Sequence, residues 1–292
     1  MKGIAPISLA CAGLWLLVLP YFLSAYWITW FFTLLLNIAL VGGINLLWGF
    51  GGYLNLGYTA FFGLGAYGTA LLLLRGWPLF LVLSSSLLLL LPLAGLSALI
   101  FFRLSGLYFS AATLGFLILL EEIAGKLSFL SGGHEGLTLP LGDQGWTAYW
   151  LALGLAGTSL GINLLLDRHK WGFQLRLIRE DETMAGSVGI PVYWTKIKVY
   201  LIGAAIAILS GGVYVFQSGY IGPGSAFGLS VAVPPMIMVL IGGGRKWWGP
   251  SLGALFLTAL QEILWTNLNH WVLSAYGLIL ILLGVFWARN RV

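Results

Sequence analysis

Residues Asp167 to Lys198 read DRHKWGFQLRLIREDETMAGSVGIPVYWTKIK, and they form the one long polar segment in a chain otherwise built from apolar runs. The segment holds ten of the 23 charged residues of the protein. If the apolar runs cross a bilayer, this segment must stay in water, because charged side chains are costly at membrane depth. The topology of the whole chain can therefore be oriented from it.

The middle of this segment is predicted to form a short helix. Arg176 and Glu180 stand four residues apart, and Arg179 and Glu182 stand three apart. These spacings bring opposite charges together on a helix surface, although each such pair contributes only about 0.2–0.5 kcal/mol.

One edge of that helix is apolar, since Trp171, Leu175 and Ile178 recur at helical spacing. Gly189 followed by Pro191 predicts where the helical segment stops. A short charged helix on the surface between two membrane spans is a good docking element. An ordinary cytoplasmic loop is the alternative interpretation.

The composition is that of a polytopic helical membrane protein. Of 292 residues, 60% are hydrophobic and 8% are charged, and the mean hydropathy is +0.97. A soluble fold of this size could not bury so much apolar surface. The net charge of +5 does not indicate nucleic acid binding, because the basic residues fall at the ends of apolar runs. The single cysteine, Cys11, excludes a disulfide framework within the chain.

Ten apolar runs predict an all-α fold of about ten transmembrane helices in one domain, residues 1–292, with a cytoplasmic loop at 167–198. Most runs reach the roughly 20 residues that a membrane helix needs. The short run 230–242 contains Pro234-Pro235, which predicts a broken or tilted helix. The first run could instead open a signal peptide, but Leu23 fits poorly at a cleavage site. The ten runs are 7–23, 27–48, 58–74, 78–100, 105–127, 148–166, 197–217, 230–242, 250–268 and 271–288.

Ten spans place both termini on the cytoplasmic side, and the basic residues test that count. Twelve of the 14 lysines and arginines then lie in inside segments, and only Arg75 and Lys126 lie outside. One missed span would invert half of the loops and destroy this asymmetry. The sequence therefore predicts that residues 167–198 are cytoplasmic.

Glycine is abundant, at 41 residues, and clusters where helices are expected to meet closely or turn sharply. Gly57, Gly63 and Gly65 fall near the small-xxx-small spacing that lets membrane helices approach. The stretch 49–57 is too irregular for a plain helix, and we interpret it as a re-entrant Gly-rich hairpin. Three glycines recur at one constant offset, either as an internal repeat or by chance. The recurring glycines are Gly51, Gly52 and Gly57 against Gly243, Gly244 and Gly249.

Polar residues inside the spans indicate either hydrogen bonds between helices or a solute pathway. A local ion pair between Glu122 and Lys126 is expected. Glu262 has no partner nearby in the sequence and could be protonated, paired with another chain or close to the outer surface. The polar residues within spans are Asn37, Asn45, Asn55, Glu121, Glu122, Gln217, Gln261 and Glu262.

The sequence offers no support for an enzyme. It contains no GxxxxGK[ST], so it cannot by itself cradle nucleotide phosphates in the usual way. His134-Glu135 is followed by Gly136 rather than by a second helical histidine, and three scattered histidines predict no metal cluster.

Four stretches resemble, in order, spacing and topology, the permease subunits of ABC importers for branched-chain amino acids, which are close to the urea and amide permeases. The resemblance extends from about Asn37 to Trp287. Tyr58 and Thr59 stand where His-Ala is common, which leaves the solute open. The four stretches are INLLWGFGGYLNLGYTAFFGLGAY (44–67), GLYFSAATLGF (106–116) with SGGHEGL (131–137), LRLIREDETMAGSVGI (175–190) and VLIGGGRKWWGPSLGALFL (239–257).

The resemblance implies that the polar segment contains a coupling helix, which seats in a cleft of an ATP-hydrolysing subunit. It also implies that ATP and magnesium bind to partner chains and that this chain carries no cofactor and no metal. The residues that match the coupling motif are Arg176, Arg179, Glu180, Glu182 and Gly189. The candidate residues of a translocation pathway are Asn45, Asn55, Tyr58 and Gln217.

We therefore expect one permease half of an importer in a bacterial inner membrane, with branched-chain or other neutral amino acids as solutes and urea or short amides as the alternative. The expected partners are a homologous second permease, two ATP-binding subunits and an extracytoplasmic solute-binding protein received by loops 128–147 and 218–229. The rivals are a secondary transporter or channel working alone, with ion coupling among three glutamates, and a membrane scaffold. Those glutamates are Glu121, Glu122 and Glu262.

Overall fold

The computed structural model of the protein describes residues 19–140 and 144–267. They form α-helices joined by short turns, with two 3₁₀-helices at Leu19–Phe22 and Gly133–Glu135. The longer helices are α1 (Ala25–Gly51), α2 (Tyr58–Leu74), α3 (Leu79–Phe101), α4 (Gly106–Lys126), α6 (Gly145–Arg168), α9 (Val192–Ser218), α11 (Leu229–Gly242) and α12 (Gly249–Asn267). The shorter helices are α5 (Ser128–Ser131), α7 (Lys170–Glu180), α8 (Glu182–Ser187) and α10 (Pro223–Phe227).

The predicted apolar runs agree closely with these helices. Each of the eight runs between 27 and 268 coincides with a described helix to within a few residues. By length and composition, six stretches can cross a membrane, namely α1, α3, α4, α6, α9 and the run Pro223–Gly242. The predicted span 271–288 lies outside the described residues, as does 7–23 except for its last five residues. The helical membrane class is confirmed, and the count of ten spans stays a prediction.

The two 27-residue helices α1 and α9 form the centre of the bundle. In each, 72% of the most apolar window is buried, against 17% in the peripheral helix α3. α9 packs along α2, and α1 packs along α6. A helix that is apolar on all sides can keep its surface away from water only in such a central position or in lipid.

Glycines allow the helices around α9 to approach to backbone distance. A Cβ at Gly211 of α9 would lie 1.9 Å from a carbonyl oxygen of α2, and one at Gly65 of α2 would lie 2.1 Å from a carbonyl oxygen of α9. A Cβ at Gly57 would lie 2.0 Å from a carbonyl oxygen of α4. The close approach predicted at Gly57 and Gly65 is therefore confirmed. Such contacts favour association in lipid, where no hydrophobic force drives helices together.

The irregular stretch predicted at 49–57 begins later than expected. α1 continues through Gly51 and ends at Gly52, whose φ of +77° lies in the left-handed region that glycine adopts readily. Residues 52–57 then run along α4, where Ser110 Oγ donates a hydrogen bond to the Leu54 carbonyl at 2.7 Å. Irregular backbone at this depth needs such protein partners. Its re-entrance into a membrane stays a prediction.

The break predicted at Pro234-Pro235 lies elsewhere. α11 passes through both prolines, and the chain is interrupted at Gly228, between α10 and α11. A Cβ at Gly228 would lie 2.3 Å from the carbonyl oxygen of Gly224. Membrane helices tolerate proline where neighbouring groups satisfy the freed carbonyls, whereas the turn at Gly228 has no room for a side chain.

The two Gly-rich turns that suggested a repeat have a similar layout and touch each other. Gly52 ends α1 with φ +77°, and Gly243 ends α11 with φ +79°. A Cβ at Gly49 would lie 1.9 Å from the carbonyl oxygen of Gly244. In the structure Gly52 corresponds to Gly243, whereas the constant offset in the sequence pairs Gly52 with Gly244, one residue further on. The shared helix–turn–helix layout favours an internal repeat over chance.

Replacing Gly211 by alanine is expected to destabilise the bundle, because α2 and α9 would have to move apart. We expect a loss of about 1–3 kcal/mol, read as a lower unfolding temperature of the detergent-solubilised protein. Gly154→Ala is the matched control, since nothing lies within 4 Å of its Cβ and alanine is the better helix former. Equal unfolding temperatures of the two variants would contradict the backbone contact.

Candidate functional site

The polar segment after α6 folds into two helices rather than one. His169 caps α7, its Nδ1 accepting a hydrogen bond from the Trp171 backbone N–H at 3.3 Å. The backbone is extended at Asp181, whose carboxylate caps α8 by accepting from the Met184 N–H at 2.9 Å and from the Thr183 hydroxyl at 2.6 Å. The Thr183 hydrogen bond, followed by the one from Met184, lowers the pKa of Asp181. Asp181 therefore separates α7 from α8.

The two ion pairs predicted along this helix are wrong. Arg176 does not bond Glu180; its guanidinium binds the Asp167 carboxylate at 2.9 Å. Arg179 donates to the Gly49 carbonyl at the end of α1. Because the helix is interrupted at Asp181, Glu182 no longer lies one turn from Arg179. A local pair between Arg176 and Glu180 would be weak, and Arg176 binds the Asp167 carboxylate at the end of α6 instead. The arginines tie α7 to the bundle.

The predicted apolar edge of α7 is confirmed as its packing face. Leu175 and Ile178 are buried, and Trp171 is partly buried against the same cluster. The cluster includes Phe50 from the end of α1 and Leu166 from the end of α6. α7 is thus seated on the C-terminal ends of α1 and α6. The helix stop is also confirmed, since α8 ends at Ser187 and the next helix begins at Val192.

A buried lysine joins this segment to the core of the bundle. The Lys196 side chain, in the first turns of α9, is only 3% exposed, and its Nζ donates to Glu182 at 2.6 Å. The same ammonium donates to the Tyr53 hydroxyl at 3.1 Å and lies 4.5 Å from the centre of that ring and 5.5 Å from the Phe102 ring. Tyr53 OH also donates to Glu182. The segment is thereby fixed to α9 and to the irregular residues 52–57.

Electrostatics in this cluster favour a charged Glu182 and a protonated Tyr53. Burial raises the pKa of Glu182, but the hydrogen bonds from Lys196 and Tyr53 outweigh it and leave the pKa below its ordinary value. Burial, and then the hydrogen bond to Glu182, raise the pKa of Tyr53. The Glu182 carboxylate therefore stays ionised across the neutral range.

A cavity of about 380 Å³ lies beside α7 at the C-terminal end of α1. Its lining combines three guanidinium groups with one carboxylate, so it suits an acidic side chain or another anion. Glu180, a predicted coupling residue, is exposed at its edge. The remaining coupling residue, Gly189, has φ +84° and ends the segment. The lining residues are Gly49, Phe50, Phe173, Arg176, Leu177, Arg179, Glu180 and Arg245.

The four candidate pathway residues are not brought together. Asn45 is buried and donates to Asn163 Oδ1 at 2.9 Å, and Tyr58 OH donates to the Gly203 carbonyl at 3.1 Å. Asn55 Oδ1 accepts from a backbone N–H two residues later at 3.1 Å. Gln217 lies at the far end of α9, 14 residues beyond Gly203, or about 20 Å along the helix. Three of the four thus make hydrogen bonds within the bundle.

Two residues of the site were not singled out from the sequence, Lys196 and Tyr53. A lysine inside the first turns of an apolar helix was an available signal, because such a charge must find a partner. The identity of that partner was not available, since Tyr53 stands 143 positions away in the chain.

Glu182→Gln is expected to lower stability and to weaken its dependence on acid pH. The folded pKa lies below the ordinary 4.5, so the unfolded chain binds more protons and wild-type stability falls as pH decreases from that value through the folded pKa. The variant should lose about 1–3 kcal/mol of unfolding free energy near neutral pH. Its unfolding temperature should also fall less steeply than that of the wild type as the pH is lowered. Glu122→Gln is the control, because its pair with Lys126 is exposed at 3.5 Å and contributes little. If the unfolding temperature of Glu182→Gln fell with acid pH as steeply as that of the wild type, this account would be contradicted.

Comparison with known proteins identifies a family. The family described as "Branched-chain amino acid transport system / permease component" matches residues 23–285. "High-affinity branched-chain amino acid transport system permease protein LivM" of Escherichia coli (strain K12) is 26% identical over 287 residues, covering 84% of this chain and 64% of the relative. "Inner membrane ABC transporter permease protein YjfF" of the same strain is 32% identical over 150 residues, covering 48% of this chain and 43% of the relative.

An archaeal relative, "Probable branched-chain amino acid transport permease protein LivM" of Methanocaldococcus jannaschii, is 27% identical over 140 residues, covering 46% of this chain and 41% of the relative. The chain thus spans 64% of the length of the Escherichia coli LivM protein. No solved structure matches the chain significantly. Because the family match covers most of the sequence, this protein belongs to the family of branched-chain amino acid transport system permease components.

Proposed function

We propose that this chain is one permease subunit of an ABC importer that moves branched-chain or other neutral amino acids inward, driven by ATP hydrolysis on partner subunits. Family membership and the names of the relatives support this function. The observation that carries it is the segment formed by α7 and α8, which is fixed to the bundle by buried contacts and still exposes large apolar side chains. Those side chains are Phe173 at 59%, Met184 at 66% and Val188 at 67% exposure.

In the proposed mechanism the α7–α8 segment transmits the movement of the ATP-binding subunits. The exposed apolar groups and Glu180 seat in a partner cleft, and closure of the partners displaces the segment. Arg179 passes the displacement to the end of α1, and Glu182 passes it through Lys196 to α9. Because Tyr53 shares this cluster, the displacement also reaches residues 52–57, which precede the candidate pathway residue Tyr58.

The proposed assembly contains a homologous second permease, two ATP-binding subunits that carry ATP and Mg²⁺, and an extracytoplasmic solute-binding protein. No cofactor is proposed on this chain. The chain would be a single domain of about ten spans in the inner membrane, with both termini cytoplasmic. Support for the outer docking site comes from strands β1 (Leu137–Thr138) and β2 (Tyr220–Ile221), which pair antiparallel and tie the loops 128–147 and 218–229 together.

The rival function, a secondary transporter acting alone, receives less support. It requires ion coupling among Glu121, Glu122 and Glu262, and of these Glu122 forms an exposed local pair with Lys126 at 3.5 Å. The decisive experiment is reconstitution of the complex that co-purifies with this chain, followed by leucine uptake with and without ATP. The proposal expects uptake only with ATP. Full exchange of solute without any ATPase bound would overturn it.

Phe173→Glu is expected to abolish retention of the ATP-binding subunits during purification, because it places a charge on the apolar docking surface. The matched control is Phe129→Glu, since Phe129 is 84% exposed and follows α4 at the opposite end of the bundle. The control should retain the ATP-binding subunits. Equal retention by both variants would count against docking through α7.

The orientation can be tested by cysteine labelling in a Cys11→Ser background. Residues 134 and 180 precede and follow α6, whose 24 residues span about 36 Å. A cysteine at 134 is expected to react from outside the cell, and one at 180 only from the cytoplasm. Reaction of both positions from the same face would contradict the proposed topology.

A further inference from the structure

The cavity beside α7 carries an excess of positive charge that comes from two separate parts of the chain. Arg176 and Arg179 belong to α7, whereas Arg245 belongs to the turn at 243–248 that joins α11 to α12. Among the described residues that line the cavity, the one acidic group is the Glu180 carboxylate. A cavity of similar size, about 390 Å³ between α1 and α12, has no basic side chain among its described lining residues. The positive lining therefore distinguishes the cavity beside α7.

Backbone contacts fix the position of the turn that carries Arg245. The turn begins at Gly243, whose φ of +79° lies in the left-handed region that glycine adopts readily. A Cβ at Gly244 would lie 2.9 Å from the Cα of Gly49, near the end of α1. Gly49 itself lines the cavity. The start of the turn is therefore held against α1, and Arg245 is held at the cavity that it shares with α7.

Arg176 keeps donors for a further acceptor. Its Nη1 donates to the Asp167 carboxylate at 2.9 Å and its Nη2 to the Asp167 backbone carbonyl at 3.2 Å. A guanidinium group has more N–H donors than these two contacts use, and the Arg176 side chain is still 43% exposed. Arg176 can therefore bind a second acceptor without giving up the contacts that tie α7 to α6.

The chain itself offers no carboxylate for Arg245. Arg245 is exposed, and no ion pair joins it to an acidic side chain within residues 19–140 and 144–267. Outside those ranges the sequence contains a single acidic residue, Asp143, two positions before the start of α6. The cavity lies near the other end of α6, where Asp167 binds Arg176, and Gly145 and Asp167 are about 33 Å apart along that helix. A carboxylate for Arg245 must therefore come from another molecule.

The cavity adjoins the surface of α7 on which an ATP-binding subunit is proposed to dock. The α7 residues that line it recur at i, i+3, i+4 and i+7, so they lie on one face of the helix. Phe173, at 59% exposure, belongs both to this face and to the docking surface. A subunit seated on α7 thus has the cavity at its edge. The four residues of this face are Phe173, Arg176, Leu177 and Glu180.

We propose that this cavity binds an aspartate or glutamate side chain of the ATP-binding subunit, and that Arg245 makes the α11–α12 turn a second docking element beside α7. Arginine binds a carboxylate through paired N–H donors, and the methylene groups of the acid pack against Phe173 and Leu177. A carboxylate held between Arg176 and Arg245 links α7 to the turn, so movement of the partner displaces both. The inference rests on the proposed importer function and adds to it the chemistry of one contact.

Zero-length cross-linking of the co-purified complex tests the contact directly. A water-soluble carbodiimide joins lysine amines to carboxylates and leaves guanidinium groups unchanged. Arg245→Lys should therefore form a covalent adduct with the ATP-binding subunit, and mass spectrometry should map the link to an aspartate or glutamate. Arg103→Lys is the matched control, because Arg103 is an exposed arginine in the turn between α3 and α4 and does not line the cavity. If position 245 forms no adduct in a complex that retains the ATP-binding subunits, the proposal is overturned.

Arg245→Gln should raise the dissociation constant of the ATP-binding subunits about tenfold, measured from their release on dilution of the purified complex, because one charge-assisted contact is lost. Release should also depend less on salt concentration. Lys246→Gln is the control, since Lys246 has the same charge in the same turn, does not line the cavity and lies with its Nζ 4.9 Å from the centre of the Trp248 ring. An equal effect of the two variants would overturn the specific site. Unchanged release of the subunits by Arg245→Gln, with loss of co-purified anionic phospholipid, would assign the cavity to a lipid headgroup and overturn the proposal.

Failure of this contact can be distinguished from failure of the importer function. If the wild-type complex takes up leucine only with ATP and Arg245→Lys forms no adduct, the contact is overturned and the importer function stands. Full exchange of solute by a wild-type preparation without any ATPase bound would overturn the importer function and, with it, this contact.

Discussion

A buried ammonium group has to be neutralised by its surroundings, and at the start of α9 Lys196 imposes that requirement. Its side chain is 3% exposed, and Glu182 supplies the opposite charge. Glu182 reaches Lys196 because Asp181 ends α7 and starts α8 in a new direction. In one continuous helix Glu182 would have faced Arg179, and the lysine would have lacked its carboxylate. The buried lysine therefore depends on the break at Asp181, which brings Glu182 within reach of it.

The same lysine links the α7–α8 segment to the close-packed helices of the bundle. α9 carries Lys196 at one end and, further along, the glycine at 211 that packs against the α2 backbone. Contacts at backbone distance cannot be compressed, so a displacement of α9 must carry α2 with it or separate the two helices. Packed helices that move as rigid bodies are the usual means by which small local shifts become large ones. A force applied at Glu182 thus has a direct mechanical route into the bundle.

Helix positions could be predicted from the sequence because they depend on local composition. The span 58–74 coincides with α2 because Gly57 and Arg75 flank an uninterrupted apolar run. Contacts between distant residues could not be predicted in the same way. The pairing of Arg176 with Glu180 was wrong because a local pair is worth tenths of a kcal/mol and an acceptor in the preceding helix replaced it. The cavity between α1 and α12 was missed because two of its lining residues, Thr29 and Thr33, form hydrogen bonds within their own helix, so nothing marks them until α12 is placed opposite.

α1 lines two cavities, one against α12 near its first residues and one beside α7 near its last residues. Its first turns line a cavity against α12, and its last turn is bound by Arg179 about 35 Å away. Between them, Ser159 and Asn163 of α6 donate hydrogen bonds to carbonyls of α1, both at 3.0 Å, so α1 and α6 form one unit. A stiff unit of this kind cannot tilt at its C-terminal end without changing the cavity at its N-terminal end. By reciprocity, a ligand that favours one shape of the cavity must also favour one position of the α7–α8 segment.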